Sequence, residues 1–205
     1  MSLSKHSNPV WDDYCADPFV LKHDDLYYCY GTSGSHEQPG LNGRKFILLR
    51  SKDLVNWEQI GGALIPAKGN ENGAHWAPEV AYANGKFWMY YSASQSGDDG
   101  DQHLRVAFAS TPEGPFEDLG EMLPDEGFCI DPSPFQDPQS GKWYLYFCKD
   151  YFDGRVGSGT AVVELADDMQ TTVGDLIPLV RADSDWQIYE RNRFHMGQQW
   201  EAWHQ

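Results

Sequence analysis

Short apolar stretches separated by polar turns recur along the chain, and they predict β-strands throughout. Three similar segments, DPFVLKHDDLYYCYGT (17–32), APEVAYANGKFWMYYSA (77–93) and DPSPFQDPQSGKWYLYFCK (131–149), consist of x-Pro, an apolar strand, a polar turn and an aromatic-rich strand. Asn84-Gly85 between two such strands is a strong hairpin signal, because both turn residues must accept positive φ. No segment has a sustained helical period. We therefore predict an all-β fold.

A second type of hairpin alternates with the first. FILLRSKDLVNWEQIG (46–61) matches LRVAFASTPEGPFEDLG (104–120) and, more loosely, TAVVELADDMQTTVGD (160–175). Two hairpins per repeat make one four-stranded antiparallel sheet, and such sheets repeated radially form the blades of a β-propeller. The pattern therefore predicts a β-propeller of four-stranded antiparallel blades.

The repeat also predicts how the domain is organised. We expect residues 1–205 to form one propeller domain, with blade-like repeats at about 15–65, 75–122 and 129–180 and a tail, 181–205, leading towards a fourth blade. A closed ring needs at least about four blades. The expectation is thus of a truncated propeller with about three blades, in which uncovered blade edges favour self-association.

Composition narrows the classes of partner. Hydrophobic residues make up 40% of the chain and aromatic residues 14%, which is typical of a folded protein. Lysine and arginine total 15 against 31 acidic residues, a formal net charge of −16. That charge disfavours nucleic acid and anionic membranes as partners and is compatible with a neutral ligand such as a sugar.

Neither a signal peptide nor a membrane-spanning stretch is visible in the sequence. The four cysteines, Cys15, Cys29, Cys129 and Cys148, form no Cys-x-x-Cys pair and lie in apolar or aromatic runs. Such cysteines are predicted to be small buried hydrophobes in a reducing compartment. We expect a cytoplasmic protein, or a secreted one if a signal has been removed.

One column of the repeat carries the candidate chemistry: Asp17, Ala77 and Asp131 occupy equivalent positions at the start of the first strand. In a propeller those strands line the central channel, so the two carboxylates are predicted to meet at one mouth of it. The alternative is that Asp-Pro only initiates a turn, which is how we interpret Asp137-Pro138. Because Ala77 stands in the same column, the fold itself does not require aspartate there. Paired carboxylates beside an aromatic residue, here Trp76, suit the hydrolysis of glycosidic bonds.

Several motifs in order then resemble glycoside hydrolase family 43: ADPFV, HWAPEV followed by GKFWMYYS, STPEGPF and IDPSPFQDPQSGKWYLYF. The resemblance implies a five-bladed propeller and an inverting enzyme, mostly of the β-xylosidase, α-L-arabinofuranosidase or arabinanase type. It implies that Asp17 is the general base and that Asp131 is the acid that orients the site and raises the pKa of the general acid. Trp76 would be a wall of the sugar pocket, and His75 would either hydrogen-bond the sugar or pack.

Two phenylalanines complete the candidate substrate-binding set. Phe19 and Phe135 are interpreted as channel lining or core, with core as the default. The expected partner is an oligosaccharide or polysaccharide that contains pentose. No cofactor is expected.

The general acid is where the sequence departs from the family. In relatives it is a glutamate in a V-E-G-P-like motif, directly after a segment that Trp203-His204 resembles, and the chain ends at Gln205. Glu113, Glu190 and Glu201 are poor substitutes by position or neighbours. We therefore expect the general acid to be absent from the chain, which could leave it inactive.

Three readings stay open: a glycosidase, a non-catalytic carbohydrate-binding propeller fragment, and a structural repeat that completes its ring by association. The loops GSHEQPGLNGR (34–44) and SQSGDDGDQH, near 96–103, are expected to decide the sugar and the choice between exo and endo cleavage. The acidic run Asp98-Asp99-Gly100-Asp101 invites a calcium site. It lacks the distal ligands that calcium needs, so we expect a solvated loop.

Overall fold

The computed structural model describes residues 8–34, 38–94 and 100–205, and almost all of the regular structure in them is β-strand. The strands come in antiparallel groups of four, which we number as blades in chain order. Blade 1 consists of β1 (Ala16–His23), β2 (Leu26–Thr32), β3 (Lys45–Ser51) and β4 (Trp57–Ile65). Blade 2 consists of β5 (His75–Ala83), β6 (Lys86–Ser94), β7 (Gln102–Ala109) and β8 (Phe116–Glu121). Blade 3 consists of β9 (Cys129–Gln136), β10 (Trp143–Tyr151), β11 (Gly157–Leu165) and β12 (Thr172–Val180).

After blade 3, a 3₁₀ turn at Asp185–Gln187 leads into the hairpin of β13 (Ile188–His195) and β14 (Gln198–His204). The all-β prediction and the predicted blades of four antiparallel strands are confirmed. None of the described residues forms a helix both long and apolar enough to cross a membrane.

The turn chemistry agrees with the sequence pattern. Asn84 and Gly85, which join β5 to β6, have φ of 55° and 74°. Two consecutive positive φ values match the right-handed twist of a hairpin, which explains why asparagine and glycine occupy this turn.

Adjacent blades pack face to face through two hydrophobic clusters. The first fills the space between blades 1 and 2 and includes Tyr30, Phe46 and Met89, all fully buried. The second fills the space between blades 2 and 3 and includes Tyr90 and Leu145. The core is therefore layered between sheets, and each blade depends on its neighbour for burial.

Buried tyrosines add a repeated hydrogen bond between blades. The Tyr30 hydroxyl donates to the Pro112 carbonyl at 2.6 Å. The Tyr90 hydroxyl makes the same kind of bond one blade later, to the Met169 carbonyl at 2.9 Å. In both cases a second-strand tyrosine reaches the outer hairpin turn of the next blade, which satisfies a buried hydroxyl and fixes how adjacent blades stack.

Blades 1 and 2 are joined more closely than separate sheets would be. β4 pairs with β8 in parallel through Leu64↔Phe116 and Ile65↔Glu117, so eight strands form one continuous sheet. The sequence did not predict this junction, because the pairing joins segments more than 50 residues apart through two residue pairs.

The β13–β14 hairpin packs back on blade 3. Gly157 of β11 pairs in parallel with His204, and the His204 N–H donates to the Val156 carbonyl at 3.0 Å. At the far end of the hairpin, His195 Nε2 lies 2.7 Å from Asp150 Oδ2 of β10, with both side chains almost completely buried.

Cys29 and Cys129 are buried as the sequence predicted, whereas Cys15 and Cys148 are only half-buried. All four are free thiols.

Candidate active site

The first strands of the three blades have the same irregularity at the same place. Asp17, Ala77 and Asp131 have φ of 47°, 46° and 56°, a left-handed conformation that is uncommon for residues other than glycine. At each of them the pairing with the second strand is interrupted by a bulge. The proline that follows cannot donate a hydrogen bond to the ladder, so the interruption suits the sequence. Bulges re-aim side chains, and strained backbone of this kind clusters at functional sites.

The bulges direct this column towards one space. A cavity of about 300 Å³ is lined by residues from all three first strands: Asp17, Pro18, Phe19, Ala77, Glu79 and Asp131. The structure therefore brings Asp17 and Asp131, 114 positions apart in the sequence, to the same cavity.

Asp17 is held by a buried hydroxyl. Thr32 Oγ1 of β2 donates to Asp17 Oδ2 at 3.1 Å and accepts a hydrogen bond from the Ala77 backbone N–H at 2.8 Å. Because the N–H occupies the acceptor side of the hydroxyl, the proton of Thr32 points to the carboxylate. Asp17 is otherwise exposed, which leaves it open to solvent.

Asp131 has the corresponding link to blade 2. Its backbone N–H donates to Ser92 Oγ at 3.0 Å. Thr32 and Ser92 occupy equivalent places, opposite Ala16 in blade 1 and opposite Trp76 in blade 2. Each hydroxyl thus fixes the bulged residue of the following blade.

The surroundings of the Asp131 carboxyl change its pKa, although the residue is exposed at the mouth of the cavity. Partial burial of the carboxyl, and after it the negative charge of Asp17, raise the pKa of Asp131. A carboxylate that ionises less readily than usual beside a second one is a common feature of acid–base sites.

Glu79 is a third acid of the cavity and was not singled out in the sequence. It is half-buried, and Ser133 Oγ of β9 donates to its Oε2 at 2.8 Å. Burial raises its pKa, the bond from Ser133 opposes that rise, and the charge of Asp131 adds to it. The strand pattern gave no usable signal for it, because the bulge at Ala77 interrupts the alternation of side chains along β5.

The other predicted residues are distributed differently. Phe19 lines the cavity and also packs against the first hydrophobic cluster, so it is both lining and core. Trp76 is half-buried immediately before Ala77 but does not line the cavity. The default expectation for Phe135 is wrong: the residue is 48% exposed at the far end of β9, outside both the core and the cavity, and its ring contacts Tyr146.

His75 is a packed residue. It is 6% exposed, its ring stacks on Tyr91, and Nδ1 lies 2.8 Å from the Gly73 carbonyl oxygen. Burial lowers its pKa to about 4. Of the two roles left open for His75, the structure supports packing.

The three glutamates considered as substitute acids do not line this cavity. Glu113 pairs with Arg50 at 2.7 Å in an outer turn, and Glu190 pairs with Arg193 on β13. Glu201 is exposed on β14.

Within the part of the chain that the structure describes, no group of three or more histidine, cysteine, aspartate or glutamate side chains has the arrangement of a metal site. Some of the predicted features lie outside the described residues: Asp98 and Asp99 of the acidic run, and parts of the two loops that were expected to decide the sugar.

Comparison with known proteins gives a consistent result. The family model "Glycosyl hydrolases family 43" matches residues 6–196. A beta-xylosidase of Bacillus subtilis is 30% identical over 179 residues, which is 83% of this chain and 32% of the relative. An arabinoxylan arabinofuranohydrolase of Bacillus subtilis is 28% identical over 71% of this chain and 34% of its own length.

A solved structure of a thermostable family-43 glycoside hydrolase superposes with a TM-score of 0.73 at 34% identity. The match covers 89% of this chain and 58% of that one. The chain spans only about a third of the length of the beta-xylosidase and of the arabinoxylan arabinofuranohydrolase.

Proposed function

The chain belongs to glycosyl hydrolases family 43, and on that premise we propose that it takes part in the hydrolysis of arabinofuranosyl or xylosyl linkages. One observation carries the proposal: Asp17 and Asp131, from the first strands of different blades, line a single cavity with Phe19. The cavity volume of about 300 Å³ is compatible with one sugar unit at its mouth. The names of the relatives, a xylosidase and an arabinofuranohydrolase, support a pentose-containing substrate.

Asp17 is proposed as the general base. Its carboxylate is exposed and oriented by Thr32, so a lone pair remains free to take a proton from water as that water attacks the anomeric carbon. Attack on the face opposite the leaving group inverts the configuration.

Asp131 is proposed as the acid that orients the sugar and maintains negative charge in the site. Its backbone is fixed by Ser92, and its carboxyl lies within electrostatic reach of Asp17. Negative charge near the ring stabilises the oxocarbenium-like transition state.

Proton donation to the leaving group is assigned by the family resemblance to a glutamate in a V-E-G-P-like motif, which these 205 residues do not contain. Such donation typically contributes about 10²–10⁴-fold to the rate. The nitrophenol group of an aryl pentoside leaves as a stable phenolate and needs less proton donation, so aryl pentosides are the substrates of choice for an assay of this chain.

The test compares hydrolysis of nitrophenyl α-L-arabinofuranoside and β-D-xyloside by the wild type, Asp17→Ala and Asp137→Ala. We expect Asp17→Ala to lower the rate by about 10²-fold or more, because the general base is lost. Asp137→Ala is the matched control, since Asp137-Pro138 has the same dipeptide in an exposed turn. Equal rates for the wild type and Asp17→Ala would contradict the assigned base.

Titration calorimetry with xylose, arabinose and their oligosaccharides distinguishes a glycosidase from the second hypothesis, a non-catalytic carbohydrate-binding propeller. A non-catalytic sugar-binding propeller predicts binding that survives Asp17→Ala, with no turnover at any pH. If the chain neither binds these sugars nor hydrolyses either aryl pentoside, the proposed function is wrong for this chain.

A further inference from the structure

Glu79 occupies the second layer of the channel-facing positions, directly behind the bulged column. It lies two residues after Ala77 on β5, in the place that Phe19 takes in blade 1 and Ser133 in blade 3. Ala77 has only a methyl side chain, so in blade 2 no long side chain separates the mouth of the cavity from Glu79. Glu79 accordingly lines the same cavity as Asp17 and Asp131.

A bond between blades fixes the Glu79 carboxylate. Ser133 of β9 donates to Oε2 at 2.8 Å, and no other described residue makes a hydrogen bond to the Glu79 carboxylate. Ser133 is two residues after Asp131 on the same strand, so one short segment of β9 carries both the second aspartate and the hydroxyl that holds Glu79.

The groups around this pair are mostly acidic. In addition to burial, the charge of Asp17 on β1 raises the pKa of Asp131, and the charge of Asp131 in turn raises the pKa of Cys148 on β10 and of Glu79 on β5. Burial raises the pKa of both Glu79 and Asp131, and like charge adds to each rise. No described lysine or arginine is among the groups that shift either pKa, so a neighbouring cation does not compensate the like charges.

We propose that Glu79 is a third acid of this site: held by Ser133 from the neighbouring blade, it lines the cavity that Asp131 lines, and its carboxyl is coupled to that of Asp131 as a like charge. Asp131 thereby shares the cavity with two further carboxylates, Asp17 and Glu79. Glu79 is a positioning residue in this scheme, because it acts through Asp131. Its catalytic relevance rests on the proposed function, whereas the coupling of the two carboxyls does not.

The experiment follows the side-chain carboxyl carbons by NMR through a pH titration of the whole chain without substrate. In Glu79→Gln the charge is removed while the amide oxygen still accepts from Ser133. The Asp131 midpoint is expected to fall, because a like charge no longer opposes its ionisation. Glu117→Gln, which removes an exposed carboxylate of β8, is the matched control and is expected to leave the midpoint unchanged.

Two further variants keep the test decisive. Ser133→Ala removes the bond that favours ionised Glu79, so the Glu79 midpoint is expected to rise. A merely structural role of Glu79 would not lower the Asp131 midpoint in Glu79→Gln and raise the Glu79 midpoint in Ser133→Ala. Asp131→Asn supplies the reciprocal test, because loss of the Asp131 charge is expected to lower the Glu79 midpoint.

An Asp131 midpoint that is the same in Glu79→Gln as in Glu117→Gln overturns the proposal, as does a Glu79 midpoint unmoved by Asp131→Asn. Because no substrate is used, this result is independent of whether the chain hydrolyses pentosides. If the proposed function fails but the midpoints move as expected, the carboxyl coupling stands by itself.

Discussion

Three residues in one repeat column adopt the same left-handed backbone although only two of them are acidic. Asp17 and Asp131 were identified from the sequence because Asp-Pro recurs in the same setting and Ala77 breaks the pattern. Glu79 was missed because the apolar residues around it, in APEVAYA, predict a strand without indicating which face meets the channel. The bulge decides that face; the proline after Ala77 suits a bulge, but the bulge itself forms only when β5 pairs with β6.

His75 predicts a pH dependence of stability at the residue scale. Burial lowers its pKa from 6.5 to about 4, so between these values the unfolded state binds more protons than the folded state. The stability that His75 contributes is complete above about pH 6.5 and is lost as the pH falls towards 4. The loss amounts to about 3 kcal/mol.

Urea unfolding near neutral pH and at about pH 4.5 checks this prediction. His75→Asn is expected to lose less stability on acidification than the wild type. His23→Asn removes a more exposed histidine and is expected to keep the wild-type pH dependence. An unchanged loss in His75→Asn would show that other groups account for the acid sensitivity.

At the scale of elements, the hairpins follow from local chemistry and their attachment does not. The tail 181–205 was expected to lead towards a fourth blade, and in the structure β13 and β14 form a hairpin that packs on β11 and β10. The alternation of polar and apolar residues in Ile188–His195 and Gln198–His204 is compatible with a place in a fourth blade and with packing on blade 3. The contact is set by Gly157, where a Cβ would come within 1.9 Å of the His204 carbonyl oxygen.

Gly157→Ala is therefore expected to displace the hairpin. The substituted methyl would clash with the backbone of His204, and the φ of 155° at this position is one that alanine disfavours. We expect a loss of about 1 kcal/mol or more in stability. Amide exchange of the His204 N–H, which donates to Val156, is expected to become much faster.

Gly174→Ala is the control for this variant, because Gly174 also has positive φ but has open space around its Cβ position. Strain alone would affect both variants alike. Equal exchange of His204 in the two variants would contradict the close-approach argument.

At the scale of the whole molecule, the blades are layers that cover one another. The sequence predicted blades of four strands, but it did not predict the parallel β4–β8 pairing or the tyrosine bonds that join one blade to the next. The two larger hydrophobic clusters lie between blades rather than within them. This arrangement implies that the unfolding of one blade exposes the face of its neighbour.

Leu145→Ala tests that dependence. Leu145 is 0% exposed in the cluster between blades 2 and 3, and its truncation is expected to cost about 2–5 kcal/mol. If the blades unfold together, amide protection in β3 of blade 1 falls by the same free energy as protection in β10. Leu119→Ala, at a position that is 41% exposed, is expected to change little.

Protection lost only in blade 3 would contradict a single cooperative unit. It would show that blades 1 and 2, which share the continuous eight-stranded sheet, keep their stability without blade 3.

The sequence by itself determined the strands, the hairpin turns, the repeat and the pair Asp17 and Asp131, because turn chemistry, alternation and spacing are local properties of a chain. Only the tertiary structure decided that Glu79 joins that pair, that Phe135 and Trp76 do not line the cavity, and where the last hairpin packs. Those outcomes depend on which segments from distant parts of the chain come together. Such contacts are fixed by the register of strands and the stacking of blades, which no single stretch of sequence encodes.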